Sequence, residues 1–539
     1  MLGCEAMVKS LEKEGVKYIF GYPGAVICPF FDSLLDSDIE TVLVRTEQNA
    51  AHAASGYARI SGGVGVCVAT SGPGALNLLT GIATAFADSI PLVCITGQVE
   101  SDQIGSDVFQ EADVTGACES FVKYSYYVTS AKEIPRIMKE AFYIASSGRR
   151  GPVLIDIPVD VQNEDIGEFR YPDKAVLRTY KPTVSGHAVQ IKKVAKALSR
   201  AKKPLIYAGG GVHLAGAVSN LRSLAENNGI PVVSTMMGIS VMPTDSPLYF
   251  GMVGNNGAPW ANKAVDEADL IMMIGARAAD RAVSQPEIIA DGKTLIHIDA
   301  DTAEIGKNAM PDIPLVGDAK AILKQINAEE IKTPDTGSWL RELTEYRDSH
   351  GWKKKGRDGF VDPAGILELL TSSMKDDSVI TVDVGQNQIW SCNHSVIKSG
   401  TRFITSGGMG TMGYSLPAAI GARKAARSKQ IVSICGDGAF HMCMCELSTM
   451  MQTDAPVKIV VLNNSRLGMV REYQHYHYND RLSGVELAGG PDLGILAGAY
   501  GIKYMKLENM DDAEETVKGF LSGKEPVILE CMIDPEDLV

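Results

Sequence analysis

The chain has 539 residues, several times what a single hydrophobic core supports, so about three domains of ordinary size are expected. Hydrophobic residues make up 45% and charged residues 22%, proportions that exclude a disordered chain and fit a soluble globular one. The net charge of −14 is spread without a basic block, which argues against nucleic acid or an anionic membrane as partner and for a small molecule.

From Gly3 to about Asp160, short apolar runs (YIFGYP, GVCVATSG, PLVCITG, GPVLIDIP) alternate with helical patterns such as EQNAAHAASGYARIS and PRIMKEAFYIASS. That alternation is the signature of a parallel sheet covered by helices. Residues 163–184 are polar, proline-bearing and aperiodic, and read as a linker. A second α/β unit opens on the stripe Ile191, Val194, Ala195 and Leu198, leads through Pro204 into LIYAGGG, and has later strands at LIMMIGA and LIHIDA. A charged, weakly periodic stretch around 328–358 separates it from a third unit. There DPAGILELL opens a helix, and VITVDVGQ, QIVSICGDG and VKIVVLNN give three buried strands. The fold class expected is α/β, with one doubly wound parallel-sheet architecture used three times, over 1–165, 185–330 and 360–539.

Cys67, Cys94 and Cys435 sit inside strand-like runs and read as small core residues. Cys443 and Cys445 lack the two-residue spacer of zinc and redox motifs, and no secretory leader precedes the first helical pattern, so a cytoplasmic, reduced protein is expected. No uninterrupted apolar run approaches the roughly 18 residues that a membrane helix needs.

The strongest chemical signal is GDGAFHMCMCELSTMMQTDAPVKIVVLNN, in which Asp437 ends one strand and Asn463–Asn464 end the next. The distance from 437 to 464 is one helical crossover, so adjacent parallel strands place both residues side by side at their carboxyl ends, where open α/β sheets bind ligands. A carboxylate, an amide oxygen and a nearby backbone carbonyl are hard oxygen ligands, suited to an octahedral Mg²⁺ that also takes diphosphate oxygens. Flanking glycines let backbone amides approach the anion, and the following helix N-terminus adds a favourable dipole. GDG alone marks a turn with a solvated Asp; joined to NN at crossover spacing it marks a diphosphate site. Glu47, at a junction of strand and helix, reads on position alone as a first-turn acid complementing the helix dipole.

RTEQNAAHAASGYAR, ATSGPGALN, GSDVFQEAD, DVGQNQIW, GGMGTMGYSLPAAIGA, GDGAF and LNNSRLGMVREYQ resemble, in this order, the catalytic subunits of acetolactate (acetohydroxyacid) synthases, a thiamine diphosphate-dependent family. The likeness runs from about Gly3 to Pro535. It implies a pyrimidine-binding first domain, a central domain and a diphosphate-binding third domain, with active sites shared in a homodimer or homotetramer. By position, Glu47 would hydrogen-bond the pyrimidine N1′ and act as a proton relay. Met412 would wedge beneath the bent cofactor, although plain core filling also suits it, and the Gly410 carbonyl would hold N4′. Asp437, Asn464 and the Arg466 carbonyl would hold Mg²⁺. Val384, Gly385, Gln386, Gly438 and Ala439 would surround the diphosphate, with Met469 also on the cofactor. Gln110 and Gly24 would stand at the reacting centre, and a helix-capping glutamine is the alternative for Gln110.

Family members carry a largely structural FAD in the central domain. YAGGGV, STMMG, IGARAADR, HIDADTAEIGKN and GRRGPV follow that pattern in outline and mark Arg149, Gly210, Gly211, Arg277 and Asp299 for FAD. The departures are Asn255–Asn256 and Ala278–Ala279, and Gly209–Gly211 does not continue as a dinucleotide fingerprint. On the substrate side Val159 stands where the family has lysine and Tyr473 where it has tryptophan. Arg281 keeps the position that meets a substrate carboxylate, its alternative being a surface pair with Asp280. The reaction implied is condensation of pyruvate with a second 2-oxo acid to 2-acetolactate with loss of CO₂, in branched-chain amino acid biosynthesis, with a small regulatory subunit as a further partner. The second reading is another thiamine diphosphate-dependent decarboxylase or acyl transferase.

Overall fold

The computed structural model describes every residue except 284, 287–288, 333–334 and 353–356. The first unit contains β1 (Tyr18–Tyr22), β2 (Glu40–Leu43), β3 (Gly65–Ala69), β4 (Leu92–Gln98), β5 (Tyr124–Tyr127) and β6 (Pro152–Pro158). All pair in parallel, in the order β2-β1-β3-β4-β6-β5. Strands β3, β4 and β6 are buried along their whole length because helices cover both faces, which is why they read as continuous apolar runs.

The middle unit contains β7 (Pro204–Ala208), β8 (Val232–Ser234), β9 (Tyr249–Met252), β10 (Leu270–Ile274), β11 (Thr294–Asp299) and β12 (Ile313–Val316), in the order β12-β11-β10-β7-β8-β9. The third contains β13 (Val379–Val382), β14 (Arg402–Thr405), β15 (Ile431–Gly436), β16 (Lys458–Asn463), β17 (Lys503–Leu507) and β18 (Val527–Met532), in the order β14-β13-β15-β16-β18-β17. The three units are the expected doubly wound parallel sheets of the α/β class; the outer two share one strand order and the middle one has another, so the architecture is not repeated identically. Periodicity reveals strands and crossovers, but not the side to which each crossover carries the next strand. The winding reverses between β1 and β3, between β7 and β10, and between β13 and β15, and crevices for ligands open at the carboxyl ends of such pairs.

The stripe Ile191, Val194, Ala195 and Leu198 is the buried face of helix Ala188–Leu198. The 163–184 stretch is largely irregular, but its Phe169, Tyr171, Leu177 and Tyr180 pack against the first unit's core. The stretch read as a separator around 328–358 holds helix Gly337–Ser349, while its residues 333–334 and 353–356 lie outside those described. Only Trp339 and Leu343 of that helix are buried, in the middle unit's core, so its period is weak.

The outer units share a core that joins Phe20, Val42 and Ala50 to Leu416, Ile431 and Phe440. Its seam is helix Glu47–Ser61 against helix Ser415–Ala425. A β-carbon on Gly421 would run into the Ala53 carbonyl, and one on Gly56 into the Ala418 backbone, so this approach needs residues without side chains. All ten cysteines are free, and Cys67 faces Cys94 across β3 and β4 as core filler. Among the described residues no helix is long and apolar enough to cross a membrane.

Candidate functional site

In the third unit, Asp437 directly follows β15 as the first residue of helix Asp437–Cys443, and Asn464 follows β16. The two strands are neighbours, so both residues stand at adjacent carboxyl ends as the crossover spacing predicts. Asp437 is buried, and burial pushes its carboxyl up to about 6, against hydrogen bonds from the backbone amides of Gly438, Asp437 itself and Ser465; the nearby Glu530 carboxylate pushes the same way. Among the described residues no lysine or arginine pairs with it. A buried carboxylate in this state favours a bound cation. Asn464 accepts from the Arg466 amide (3.0 Å) and donates to Gln386 Oε1 (3.2 Å). Gln386 in turn donates to Glu472 (3.0 Å) and to the Asp537 carbonyl (2.9 Å), fixing its side chain. Among the described residues no group of three or more His, Cys, Asp or Glu side chains is arranged to hold a metal.

Val384 and Gly385 lie in the turn after β13, with Gly385 at φ +135°, and Gly438 and Ala439 lie in the first turn of helix Asp437–Cys443. Met412 is partly buried, with its methyl near Gly438. Two acids absent from the sequence reading fix this loop. Buried Asp383 accepts from the amides of Val384 (2.9 Å), Gly413 (2.9 Å) and Ser415 (2.7 Å). Asp88 of the first unit accepts from the Gly408 amide (2.7 Å) and pairs with buried Arg59 (2.7 Å). Asp383 stands in the quoted DVGQ run, where an acid before a glycine turn was a usable signal. Asp88 offered none, because its partners in the loop lie over 300 residues away.

In the first unit, Glu47 is the first residue of helix Glu47–Ser61 and half-buried. Its Oε2 accepts from Asn77 Nδ2 (2.9 Å), and its Oε1 faces Gly74 at the start of helix Pro73–Ala87. Gly24, just after β1, lies tight against Thr70, just after β3, so Gly24 and Thr70 stand at this unit's switch point, with Glu47 alongside beyond the neighbouring β2. Gln110 has φ +62°, a conformation costing a non-glycine residue on the order of 1–3 kcal/mol and concentrated at functional sites. It is no helix cap: the next helix, Val114–Cys118, is capped by Asp113.

A cavity of about 650 Å³ lies where the three units meet. It gathers all five residues marked for FAD (Arg149, Gly210, Gly211, Arg277 and Asp299) with Val384, Gly385, Gly410 and Met469. Gly211 donates its amide to the Gly275 carbonyl (2.9 Å), and a β-carbon on Gly209 or Gly211 would run into Gly275. The turn after β7 therefore sits directly on the turn after β10, at this sheet's switch point. Arg149 donates to Ser89 of its own unit (3.1 Å) and to Asp301 of the middle unit (3.1 Å), and Arg277 donates to the Ala87 carbonyl (3.2 Å). Burial pushes the Asp299 carboxyl up to about 6. Two of the departing residues, Asn256 and Ala279, also line the cavity.

The structure does not gather every residue marked by sequence. Glu47, Asp437, Asn464 and Met412 do not line that cavity. Arg281 does, exposed and without an ion pair to Asp280. Val159 opens the short helix Val159–Asn163, and Tyr473 is 57% exposed against His477; neither reaches the cavity.

Three family models match the chain: the thiamine pyrophosphate enzyme N-terminal TPP binding domain over residues 1–117, the central domain over 191–326, and the C-terminal TPP binding domain over 383–531. The "Probable acetolactate synthase large subunit" of Methanocaldococcus jannaschii is 45% identical, covering 100% of this chain and 93% of the relative. The "Acetolactate synthase isozyme 2 large subunit" of Escherichia coli is 40% identical over 99% and 96%, and the "Acetolactate synthase large subunit" of Lactococcus lactis 39% over 100% and 93%. Identity at this level along the whole length, on a fold whose outer units match the two cofactor-binding domains, means that the chain belongs to the acetolactate synthase large-subunit family of thiamine pyrophosphate enzymes.

Proposed function

We propose that this protein is the carboligase that condenses pyruvate with a second 2-oxo acid, with loss of CO₂, to 2-acetolactate in branched-chain amino acid biosynthesis. Thiamine diphosphate is its cofactor, by the match of both outer units to binding domains for it. When bound, that group supplies the carbon nucleophile for the 2-oxo carbonyl and the sink for the electrons left by CO₂. The observation that carries the reading is Asp437, a buried carboxylate without a basic partner, beside Asn464 at the carboxyl ends of the adjacent strands β15 and β16, next to the β13–β15 switch point.

Residues 1–165 hold the pyrimidine end, with Glu47 bonded to N1′ and Gly24 and Gln110 beside the reacting carbon. Residues 360–539 hold the diphosphate end. There Asp437, Asn464 and the Arg466 carbonyl would hold Mg²⁺, the turns at Val384–Gln386 and Gly438–Ala439 would surround the diphosphate, and Gly410, Met412 and Met469 would contact the rest of the cofactor. Glu47 receives and returns a proton at N1′.

Residues 185–330 form the central domain, and its cavity suits FAD. The glycines of the Gly209–Gly211 turn let it pack on the turn after β10 at the cavity wall, and Arg149 and Arg277 supply cations for a pyrophosphate. Arg281 anchors the acceptor carboxylate, since Val159 brings no cation where the family has lysine; Tyr473, which lies outside the cavity that Arg281 lines, is assigned to the acceptor's alkyl group by the family resemblance alone.

Phe109 is 87% exposed beside Gln110, and Met442 is 55% exposed on the Asp437 helix. Large apolar side chains next to site residues favour a second copy covering them, as a homodimer or homotetramer with shared sites. The relatives' printed name "large subunit" favours a small regulatory partner. Ten free cysteines favour the cytoplasm. Incubation with pyruvate, thiamine diphosphate and Mg²⁺, followed by NMR of the products, is expected to yield acetolactate; free acetaldehyde in its place transfers the protein to the decarboxylase reading.

A further inference from the structure

Helix Glu47–Ser61 begins without the cap its own sequence offers. Thr46 precedes it in an extended conformation, yet the Thr46 hydroxyl makes no capping hydrogen bond. A helix start leaves backbone donors that must be met by other groups when buried. Here they are met from the third unit. Glu446, with no exposed surface, accepts at Oε1 from the amides of Arg45 (2.9 Å) and Thr46 (3.2 Å) and from Asn49 Nδ2 (2.9 Å). Its Oε2 accepts from the Thr449 hydroxyl (2.5 Å). Among the described residues no lysine or arginine pairs with Glu446, so its charge is met by these donors and by the positive end of the helix.

We propose that Glu446 is a positioning residue for Glu47, setting that carboxylate from the third unit across the domain boundary. Glu47 lies between two residues whose donors converge on one buried oxygen, Thr46 and Asn49, so the start of its helix has a single register against the third unit. Glu446 also belongs to the crossover that begins at Asp437, reached through helix Asp437–Cys443 and the turn Met444–Glu446. The segment that begins at the carboxylate assigned to Mg²⁺ thus also braces the helix that begins at the carboxylate assigned to the pyrimidine. A buried carboxylate is costly unless its acceptors are filled, which makes this contact intolerant of misplacement. A site group must be held within about 0.5 Å of its productive place. The inference rests on the reading of Glu47 given above.

The test uses full-length Glu446→Ala and Glu446→Gln. In cofactor-free Glu446→Ala, the Arg45 and Thr46 amides are expected to exchange hydrogen at least about tenfold faster, with less than about threefold change in helix Ser415–Ala425. Thiamine diphosphate affinity by calorimetry with Mg²⁺ stays within about threefold, while NMR exchange of the bound cofactor's C2 proton slows about 10- to 100-fold. Glu446→Gln keeps reach and an acceptor oxygen, and so shows smaller changes in both. Faster exchange throughout both units together with lost cofactor binding would mean mere domain adhesion and overturn the proposal, as would C2 exchange at the parent rate in Glu446→Ala. If Glu446→Ala fails to fold, Glu446→Gln decides: slower C2 exchange at parent affinity supports the brace, and parent-rate exchange overturns it. A parent protein that binds no thiamine diphosphate sinks the reading of Glu47 itself, whereas unchanged amide exchange at 45 and 46 sinks the brace alone.

Discussion

The outer and middle units are made of the same parallel strands but differ in how they meet their neighbours. The outer sheets wind alike, and the helices that pack between them, Glu47–Ser61 after β2 and Ser415–Ala425 after β14, occupy equivalent places in the two units. Two surfaces of one design meet through their smallest residues and merge into one core. The middle sheet winds differently, keeps two cores of its own while lending Ile239 and Met252 to the third unit's core, and offers its switch point as a cavity wall that both outer units complete. Equal strand content therefore does not mean equal roles. The shared winding fits a pair of units that grip one cofactor from two ends, and the odd winding fits a separate ligand.

The comparison breaks first at Glu47. Glu47→Gln keeps shape and loses charge, so thiamine diphosphate remains bound while C2 proton exchange, measured by NMR, is expected to slow by about 10²- to 10⁴-fold. Parent-rate exchange would place the relay elsewhere.

The seam between the outer units comes next. Gly421→Ala puts a methyl against the Ala53 carbonyl and should destabilise the protein by about 1–3 kcal/mol in urea unfolding, with a larger effect if the helices cannot separate. A parent-like midpoint would mean that the seam is loose.

In the middle unit, Arg149→Ala removes the guanidinium shared with Asp301 and Ser89. It is expected to lower FAD affinity about tenfold, read by fluorescence titration, and to leave thiamine diphosphate affinity within about threefold. Equal losses of both would erase the distinction between the units.

The smallest effect concerns the acceptor. Tyr473 is exposed and brings a hydroxyl where the family has a broad apolar face, and one methylene in a good pocket is worth only about 1–3 kcal/mol. Competition between equal concentrations of 2-oxobutyrate and pyruvate should therefore show a preference below about tenfold, near 1.4 kcal/mol; a larger one would assign selectivity to other residues.

Local chemistry was legible in the sequence. Asp437 and Asn464 stand where one crossover length places them, and buried strands announced themselves as apolar runs because both sheet faces are covered. What stayed hidden depends on contacts between distant segments. The middle sheet's order leaves no periodic trace. Helix Gly337–Ser349 buries two residues and so lacks a clear stripe. Asp88 and Glu446 act on partners over 300 residues away, and Gln110, with its left-handed backbone, lies against Gly72 from a separate segment.

The claim that the outer units hold the reacting cofactor and the middle unit does not is tested most directly by calorimetry of thiamine diphosphate with Mg²⁺ on Asp437→Ala and Arg277→Ala side by side. Asp437→Ala is expected to lose more than about hundredfold in affinity, about 2.7 kcal/mol, and Arg277→Ala less than about threefold. Parent-like binding by Asp437→Ala, or a loss in Arg277→Ala as large as that expected for Asp437→Ala, would contradict it.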